Sequence, residues 1–245
     1  GTLYTLYRFN RFSLKNFIFM LISLLAIDMG TTTINNYYDY KNSNKTQGYN
    51  YESHNSIVKN NLKESTVKVT ILVLLAVAVL LGIILVFNTN IVVLFLGAVS
   101  FAVGILYSFG PIPISRTPLG EIFSGLFMGF LIPFIALYIH TFDQNIIAMI
   151  YKEGLLNIQL NISEIIYIFL FSLPAVIGIA NIMLANNICD IEDDLENERY
   201  TLPTYIGKQN SLELFKISYY CIYFGLILLL VLKIVPLTCL ITLLT

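Results

Sequence analysis

The chain contains no tryptophan, only three cysteines and two histidines, and charged residues make up only 12% of its 245 positions. The cysteines lie in or beside apolar stretches and have no CxxC spacing, which argues against a disulfide framework or a zinc site. The histidines stand far apart, so a histidine-based metal site is not expected. A formal net charge of −1 gives no basis for binding nucleic acid.

Long apolar runs make up most of the sequence. Hydrophobic residues account for 57% of the chain, and the mean hydropathy is +0.76. Most runs are about twenty residues long, the length that a helix needs to cross a bilayer core of about 30 Å. The sequence therefore predicts an all-α, polytopic transmembrane helix bundle that forms a single domain over residues 1–245. Full spans are expected near 16–36, 67–88, 91–109, 119–140, 163–186 and 212–232.

Two shorter apolar stretches lie at the ends of the chain. One covers residues 1–9 and the other begins at Pro236. We interpret them as parts of two further membrane helices, so the first and last helices are expected to be truncated.

Alternating spans place the loops 37–66, 110–118 and 187–211 on one side of the membrane. Those loops and their borders carry nine of the Lys and Arg residues, against five on the other side. By the positive-inside rule, this side faces the cytoplasm. We expect an integral protein of a bacterial cell membrane whose site opens towards the cytoplasm.

One short pattern, NNxxD, occurs twice, at Asn35–Asp39 and again at Asn186–Asp190. Each copy ends a predicted span and opens into one of these loops, and such a repeat suggests two halves that face one central cavity. On a helix, Asn35 and Asp39 share one face, and Asn186, Asp190 and Asp194 share another. Amide and carboxylate oxygens are suitable Mg²⁺ ligands, and helix C-termini also favour cations.

Paired acidic sites beside Lys and Arg residues suit a diphosphate substrate, because metal ions and cations together neutralise its charge. The predicted site lies at the edge of a bilayer, so the organic part of the substrate is expected to be a lipid tail. A prenyl diphosphate has both properties. Stabilisation of the leaving diphosphate allows its C–O bond to ionise, and aromatic side chains can shelter the allylic cation.

The sequence resembles the UbiA superfamily of intramembrane prenyltransferases over nearly its whole length. Asn35–Asp39 is similar to the family's first motif, NDxxD, and Asp190–Asp194 is similar to its second, DxxxD. Arg199–Gly207 resembles the R-x-T-L-P…G segment that follows the second motif. The segments Tyr107–Pro111 and Thr117–Glu121 look most like the 1,4-dihydroxy-2-naphthoate polyprenyltransferase branch.

The resemblance implies nine helices around a central cavity, a requirement for Mg²⁺ and a polyprenyl diphosphate donor. The naphthoate branch implies transfer of the prenyl group to 1,4-dihydroxy-2-naphthoate with loss of its carboxylate as CO₂, giving demethylmenaquinone. The chain departs from the family pattern at Asn36, where an Asp is common. The first motif thus has one carboxylate fewer and is expected to bind its metal through an amide and water.

Candidate roles follow for the residues around the two motifs. The predicted metal ligands are Asn35, Asp39, Asp190, Asp193 and Asp194. The predicted substrate-binding residues are Asn35, Asn36, Lys41, Arg116, Asn186 and Arg199. Asp39, Asp190 and Asp194 are also expected to be catalytic, together with Tyr107, which could orient the acceptor or face the cation. Asp28 is an intramembrane acid and therefore a functional candidate, whereas Glu121 is interpreted as favouring its helix N-terminus. The sequence indicates no general base.

Several alternatives remain open from the residues alone. Within the enzyme class, the acceptor could instead be 4-hydroxybenzoate, haem B or a lipid alcohol. Outside it, the two motifs could hold the coupling ion of a cation-driven transporter. A lipid-binding or scaffolding protein is a third possibility, although it leaves the paired acidic motifs without a purpose.

Overall fold

The computed structural model describes residues 1–42, 55–108 and 113–244. The described chain is mostly helical, with one two-stranded sheet. The first five helices are α1 (Thr2–Phe9), α2 (Leu14–Asn42), α3 (Ser56–Lys59), α4 (Glu64–Asn88) and α5 (Ile91–Ser108). They are followed by α6 (Gly120–Leu126), α7 (Ile132–Thr141), β1 (Ile147–Lys152), β2 (Leu155–Leu160), α8 (Ile162–Cys189), α9 (Ile191–Glu196) and α10 (Leu202–Val231).

Five helices of the described chain are long and apolar enough to cross a membrane. They are Leu14–Lys41, Glu64–Asn88, Gly120–Thr141, Ile162–Cys189 and Leu202–Val231. The shorter apolar helix Ile91–Tyr107 lies at the sixth predicted position. The prediction of a polytopic membrane helix bundle is confirmed. After these helices, Leu237–Leu244 forms 3-10 turns that follow Pro236.

The span Gly120–Thr141 is not a uniform α-helix. Between α6 and α7, residues Phe127–Leu131 form a π-helical turn, a feature that often occurs at functional sites. This turn packs very closely on α8, because a Cβ added at Gly129 would lie 2.5 Å from Val176 Cα. Gly125 makes a similar approach, at 2.6 Å from the Val176 carbonyl oxygen. Glycine at these two positions lets the backbones of α6 and the π-helical turn touch the backbone of α8.

Both NNxxD copies lie at the same end of the bundle. Asn16, near the start of α2, donates from Nδ2 to the Ile139 carbonyl (2.8 Å), so α2 starts where the span Gly120–Thr141 ends. Asn187 donates from Nδ2 to Glu121 Oε1 (2.8 Å), so α8 ends where that span starts. Because α2 and α8 therefore finish on the same side, we call this side the motif end and the opposite side the far end.

Among the described residues, the densest packing lies at the far end. The main cluster of buried apolar side chains joins α1, the end of α4, the start of α5, α7 and the start of α8. It includes Leu137, Tyr138 and Ile168, each at most 1% exposed. At the motif end, a smaller cluster consists of Tyr37, Ile57 and Val67. Burial of apolar surface thus stabilises one end of the bundle more than the other.

The segment between α7 and α8 adds a short hairpin to the helical bundle. We expected a mixed loop at 141–162, but β1 and β2 pair there as an antiparallel hairpin. Glu153 (φ 53°) and Gly154 (φ 81°) form its two-residue turn. Positive φ at both central residues is the geometry of a type I′ hairpin turn, for which a Gly at the second position is well suited. Gly154 is therefore the sequence signal for the hairpin.

The predicted loop 37–66 is shorter than expected, because α2 continues through Asn42 and α4 begins at Glu64. Residues 43–54 of this loop, residue 109 and residues 110–112 of the loop 110–118 lie outside the described residues. The remainder of the loop 110–118 includes a 3-10 turn over Ile114–Arg116.

The predicted loop 187–211 is largely helical. α8 ends at Cys189, α9 follows after Asp190, and α10 begins at Leu202. Thr201 has extended backbone angles before α10, and a proline lies in its first turn, where the missing N–H costs no helical hydrogen bond. Within α10, Gly207 (φ 80°, ψ 158°) interrupts the helical geometry.

Candidate active site

A large apolar cavity lies between α2, α4, α5, the α6–α7 span and α8. Its volume is about 690 Å³. Asn35 from the first motif and Met183, one turn before the second, both border it. The cavity therefore reaches the motif end from the membrane interior, which is the arrangement that a substrate with a polar head and an apolar tail requires.

One face of α2 gives this cavity a polar stripe. Asp28, Thr31, Thr32 and Asn35 all line the cavity, because residues three, four and seven apart share a helix face. Asp28 is the only charged residue among the described residues of the lining. The predicted face of α2, with Asp28 on the same side as Asn35, therefore faces the cavity.

The opposite face of α2 binds α4. Tyr37 Oη donates to Glu64 Oε1 (2.6 Å), and Lys68 Nζ lies 2.7 Å from the same oxygen. The predicted diphosphate ligand Lys41 also belongs to this group, with its Nζ 3.7 Å from Glu64 Oε1. Lys41 follows Asp39 by about 200° around the helix. The structure thus places the ammonium group beside Glu64 and not along the stripe that contains Asn35.

The other predicted residues of the first motif lie near the end of α2. Asn36 is half-buried and donates from Nδ2 to the Thr32 carbonyl within the helix (3.0 Å). Its own carbonyl accepts a hydrogen bond from Asn55 Nδ2 (2.9 Å). Asp39, one turn before the end of α2, is exposed. In the first motif, Asn35 thus borders the cavity, whereas Asp39 lies outside the cavity lining, nearer the end of α2.

The sequence predicted that the second motif continues on one helix, but the structure interrupts that helix. Asp190 has φ −100° and ψ 10° and separates α8 from α9. The expected continuous face of Asn186, Asp190 and Asp194 is therefore interrupted at its middle residue. Asn186 is exposed, whereas Asp190 and Asp193 are half-buried.

Asp194 is buried in contacts with the chain that follows α9. Only 2% of it is exposed. Its Oδ2 accepts a hydrogen bond from Thr201 Oγ1 (3.0 Å), and Arg199 Nε lies 3.3 Å from its Oδ1. Burial raises the pKa of the Asp194 carboxyl, while Arg199 and Thr201 act in the opposite direction. In this structure Asp194 holds the Arg199–Thr201 segment in place.

Arg116 and Arg199 come from distant parts of the sequence and meet at the motif end. The backbone N–H of Tyr200 donates to the Arg116 carbonyl (3.1 Å). The loop before α6 is thereby joined to the segment after α9. Two predicted diphosphate-binding cations thus lie on neighbouring backbone segments, and the side chain of Arg199 is 29% exposed.

A buried pair links α6 to the second motif. Glu121 and Asn187 are 4% and 5% exposed and are joined by the 2.8 Å hydrogen bond from Asn187 Nδ2 to Glu121 Oε1. Ser124 lies one turn along α6 from Glu121, and both Ser124 and Tyr107 border the cavity. The sequence-based predictions did not include this buried pair. Its two signals were Glu121, an acid at the start of an apolar span, and Asn187, the second Asn of the second motif.

The structure brings only some of the predicted site residues to the cavity wall. Asn35 and Tyr107 border the cavity. The other predicted residues do not border it and belong to the segments at its motif end: Asn36, Asp39, Lys41, Arg116, Asn186, Asp190, Asp193, Asp194 and Arg199.

The donor set of the two motifs fits magnesium. Among the described residues, no three His, Cys, Asp or Glu side chains form a metal site by themselves. Mg²⁺ does not need such a group, because it usually retains waters and combines one or two carboxylates with substrate phosphates. Asp39, Asp190 and the amide of Asn35 are hard oxygen donors at one end of the bundle. These residues suit a magnesium ion that arrives with a diphosphate.

The chain matches the model of the UbiA prenyltransferase family over residues 2–245. It is 31% identical over 207 residues to the 1,4-dihydroxy-2-naphthoate octaprenyltransferase of Bacillus subtilis (strain 168). The alignment covers 84% of this chain and 60% of that relative. The chain therefore spans less than two thirds of the relative's length.

Solved structures of UbiA homologues share the fold. The apo structure of a homologue from Aeropyrum pernix K1 has a TM-score of 0.73 and 16% identity, and the match covers 98% of this chain and 78% of that one. A homologue from Archaeoglobus fulgidus, bound to GPP and Mg²⁺, has a TM-score of 0.66 and 15% identity, with 94% and 70% coverage. These likenesses establish the architecture as a UbiA-type membrane bundle.

Proposed function

Because the chain belongs to the UbiA prenyltransferase family, we propose that it transfers a polyprenyl group from a polyprenyl diphosphate to an aromatic acceptor. The proposed acceptor is 1,4-dihydroxy-2-naphthoate, which loses CO₂ and gives the quinol form of demethylmenaquinone, the product of a step in menaquinone synthesis. The Bacillus subtilis relative supports this acceptor. The observation that carries the proposal is an apolar cavity that meets two oxygen-rich motifs at one end of the bundle.

The two motifs bind the donor's head group in this proposal. Asn35, Asp39 and Asp190 would hold Mg²⁺, with Asp193 and Asp194 as further carboxylates of the second motif. Bound Mg²⁺ supplies positive charge that stabilises the diphosphate as a leaving group. Arg116 and Arg199 contribute further cations at the same end, and charge-assisted hydrogen bonds to phosphate oxygens are among the strongest available to a protein.

The cavity protects the cation that forms when the C–O bond of the donor breaks. The rings of Phe123 and Phe127 are stacked, with centroids 6.0 Å apart and an interplanar angle of 3°. Both residues line the cavity together with Tyr107. Aromatic faces attract cations, and the apolar lining excludes water that would otherwise trap the allylic cation.

The acceptor ring completes the reaction without a separate oxidant. A ring carbon donates an electron pair to the allylic carbon as the C–O pair leaves with the diphosphate. Cleavage of the carboxylate's C–C bond returns an electron pair to the ring and releases CO₂. Aromaticity is thereby restored, so the chemistry does not depend on a base that removes a ring hydrogen.

The reaction assay tests the proposal directly. Purified protein in lipid or detergent receives Mg²⁺, a polyprenyl diphosphate and 1,4-dihydroxy-2-naphthoate, and diphosphate, CO₂ and the prenylated product are measured. We expect all three in equal amounts and none after removal of Mg²⁺ by a chelator. Prenylation without CO₂ would reject the naphthoate acceptor and favour 4-hydroxybenzoate, haem B or a lipid alcohol. Ion uptake into vesicles without any diphosphate release would favour the transporter.

A further inference from the structure

Glu121 is a buried carboxylate with one oxygen unused. It lies in the first turn of α6 and is 4% exposed. Its Oε1 accepts the hydrogen bond from Asn187, whereas its Oε2 is buried and has no hydrogen-bond partner among the described residues. Buried polar atoms are nearly always satisfied, because leaving one unpaired costs free energy. The unpaired oxygen therefore indicates a position for a ligand group or an ordered water.

Tyr107 supplies a second unpaired polar atom at the same place. Its Oη is buried and makes no hydrogen bond of good geometry with any described residue. A Cβ added at Gly120 would lie 3.7 Å from this oxygen, so the hydroxyl lies against the first turn of α6, next to Glu121. Unlike Glu121, Tyr107 also borders the cavity.

We propose that Glu121 and Tyr107 form a subsite for a phenolic hydroxyl of the aromatic acceptor, an inference that rests on the proposed function. A hydroxyl between them donates to Glu121 Oε2 and accepts from Tyr107 Oη, so that both unpaired atoms are satisfied. A hydrogen bond to a carboxylate is stronger than one between neutral groups. It also increases the electron density on the ring oxygen, which makes the ring a better nucleophile.

The same carboxylate selects the orientation of the acceptor. Its negative charge repels the acceptor's own carboxylate and attracts a hydroxyl. A ring hydroxyl next to the acceptor's own carboxylate already donates an intramolecular hydrogen bond to it. The subsite therefore binds a hydroxyl that lies farther from that carboxylate on the ring. Asn187 fixes the Glu121 side chain through Oε1. Because Asn187 belongs to the second NNxxD copy, the subsite is aligned with the motif that binds the donor.

A binding experiment tests the subsite without the reaction. The full chain is titrated with 4-hydroxy-2-naphthoate and with 2-naphthoate, and binding is followed by naphthoate fluorescence. We expect the wild-type protein to prefer the hydroxylated ligand by about 10- to 100-fold, the range for a hydrogen bond to a charged group. Glu121→Gln keeps the size of the side chain and an oxygen for Asn187, but it loses the carboxylate. It should reduce the preference to less than about threefold, because a neutral partner binds the hydroxyl more weakly.

Two variants at the far end serve as matched controls. Glu164→Gln removes a carboxylate whose partner is Arg8, and it should leave the ligand preference unchanged. Tyr107→Phe should lower the ligand preference, as Glu121→Gln does. Its control is Tyr138→Phe, which removes a buried hydroxyl near Asn90 and should leave the ligand preference unchanged. Tyr107→Phe also gives an independent answer should Glu121→Gln fail to fold.

The outcomes separate this subsite from the proposed function. A preference that persists in both Glu121→Gln and Tyr107→Phe means that the two atoms only hold a water, and it overturns the subsite. An absence of any preference in the wild-type protein overturns it as well. Failure of the proposed function is detected in a different measurement, as a lack of diphosphate release by the wild-type protein with every acceptor.

Discussion

Asp194 differs from the other acids of the second motif in its burial, because only 2% of it is exposed. Thr201 donates a hydrogen bond to one of its oxygens, and Arg199 lies beside the other. Asp190 is half-buried and Asp39 is exposed. Residues that look equivalent in the sequence therefore have different surroundings, and their substitution should have different effects.

Asp39→Ala and Asp190→Ala should each lower turnover at least about 100-fold, which is the typical loss when one group that stabilises developing charge is removed. Both variants should stay folded, because neither side chain is buried. The measurement is diphosphate release at saturating Mg²⁺. Asp143→Ala is the control, since Asp143 is an exposed acid near Arg11 at the far end and should turn over normally. Near-normal turnover of either motif variant would remove that acid from the mechanism.

Asp194→Ala should reduce the stability of the protein as well as its activity. The substitution leaves the Thr201 hydroxyl and the Arg199 guanidinium without their partner, and a buried group that loses its partner costs about 1–3 kcal/mol. Thermal unfolding in detergent measures this effect. Glu192→Ala, an exposed acid on the same short helix, should leave the unfolding temperature unchanged, and equal unfolding temperatures for both variants would contradict the structural role of Asp194.

At the scale of the elements, close helix contacts shape the cavity. The π-helical turn Phe127–Leu131 places Phe127 and Met128 in the cavity wall, while Gly129 lies against α8. The same turn thus forms part of the wall and part of the contact with the helix that carries the second motif. The position of that motif relative to the cavity depends on this contact.

Gly129→Ala should destabilise the bundle, because the added Cβ would lie 2.5 Å from Val176 Cα, a backbone atom that cannot move alone. Overpacking of this kind costs about 1–3 kcal/mol and should lower the temperature of thermal unfolding. Gly82→Ala is the matched control, since nothing lies within 4 Å of a Cβ at Gly82. An unfolding temperature of Gly129→Ala equal to that of the control would show that the π-helical turn and α8 are not in direct contact.

Apolar length predicted the membrane helices well, because a bilayer imposes the same requirement on every span. It gave the positions of α4 and α5 to within a few residues. It could not give the start of α10, because Leu202 lies in a polar segment and its helix depends on Thr201 and a proline. The hairpin was missed because Glu153-Gly154 is a weaker turn signal than the Asn-Gly or Asp-Gly pairs that favour this turn type.

The candidate site was predictable only in part. Repetition of NNxxD indicated which residues lie at one end of the bundle. The burial of Asp194 and the position of Lys41 beside Glu64 depend on which face of each helix meets a neighbour, and spacing alone does not determine that. The Glu121–Asn187 pair joins residues 66 positions apart, a contact that only the folded chain creates.

At the scale of the whole molecule, the five long apolar helices make this an integral membrane protein. Lys and Arg are more frequent on the motif side of the sequence, and we propose that the motif end faces the cytoplasm. Substrates and Mg²⁺ would then be supplied from the cytoplasm.

Cys189 makes this orientation measurable. It is exposed and lies at the end of α8, beside Asp190. In a protein with Cys221→Ser and Cys239→Ser, a membrane-impermeant maleimide should label Cys189 in inside-out vesicles and not in intact cells. When Cys189→Ser is added to this background, a cysteine introduced by Glu153→Cys in the turn of the far-end hairpin should show the reverse. Labelling of Cys189 in intact cells would place the motif end outside.

The concentration of dense packing at the far end has a consequence for how a long lipid reaches the site. Local opening costs least free energy where few buried contacts must break, and the larger apolar cluster is remote from the motif end. The helices can therefore separate at the motif end while the far end stays assembled. The proposed donor, a polyprenyl diphosphate, would then enter between these helices from the surrounding leaflet, with its head group at the water boundary and its tail in the lipid throughout.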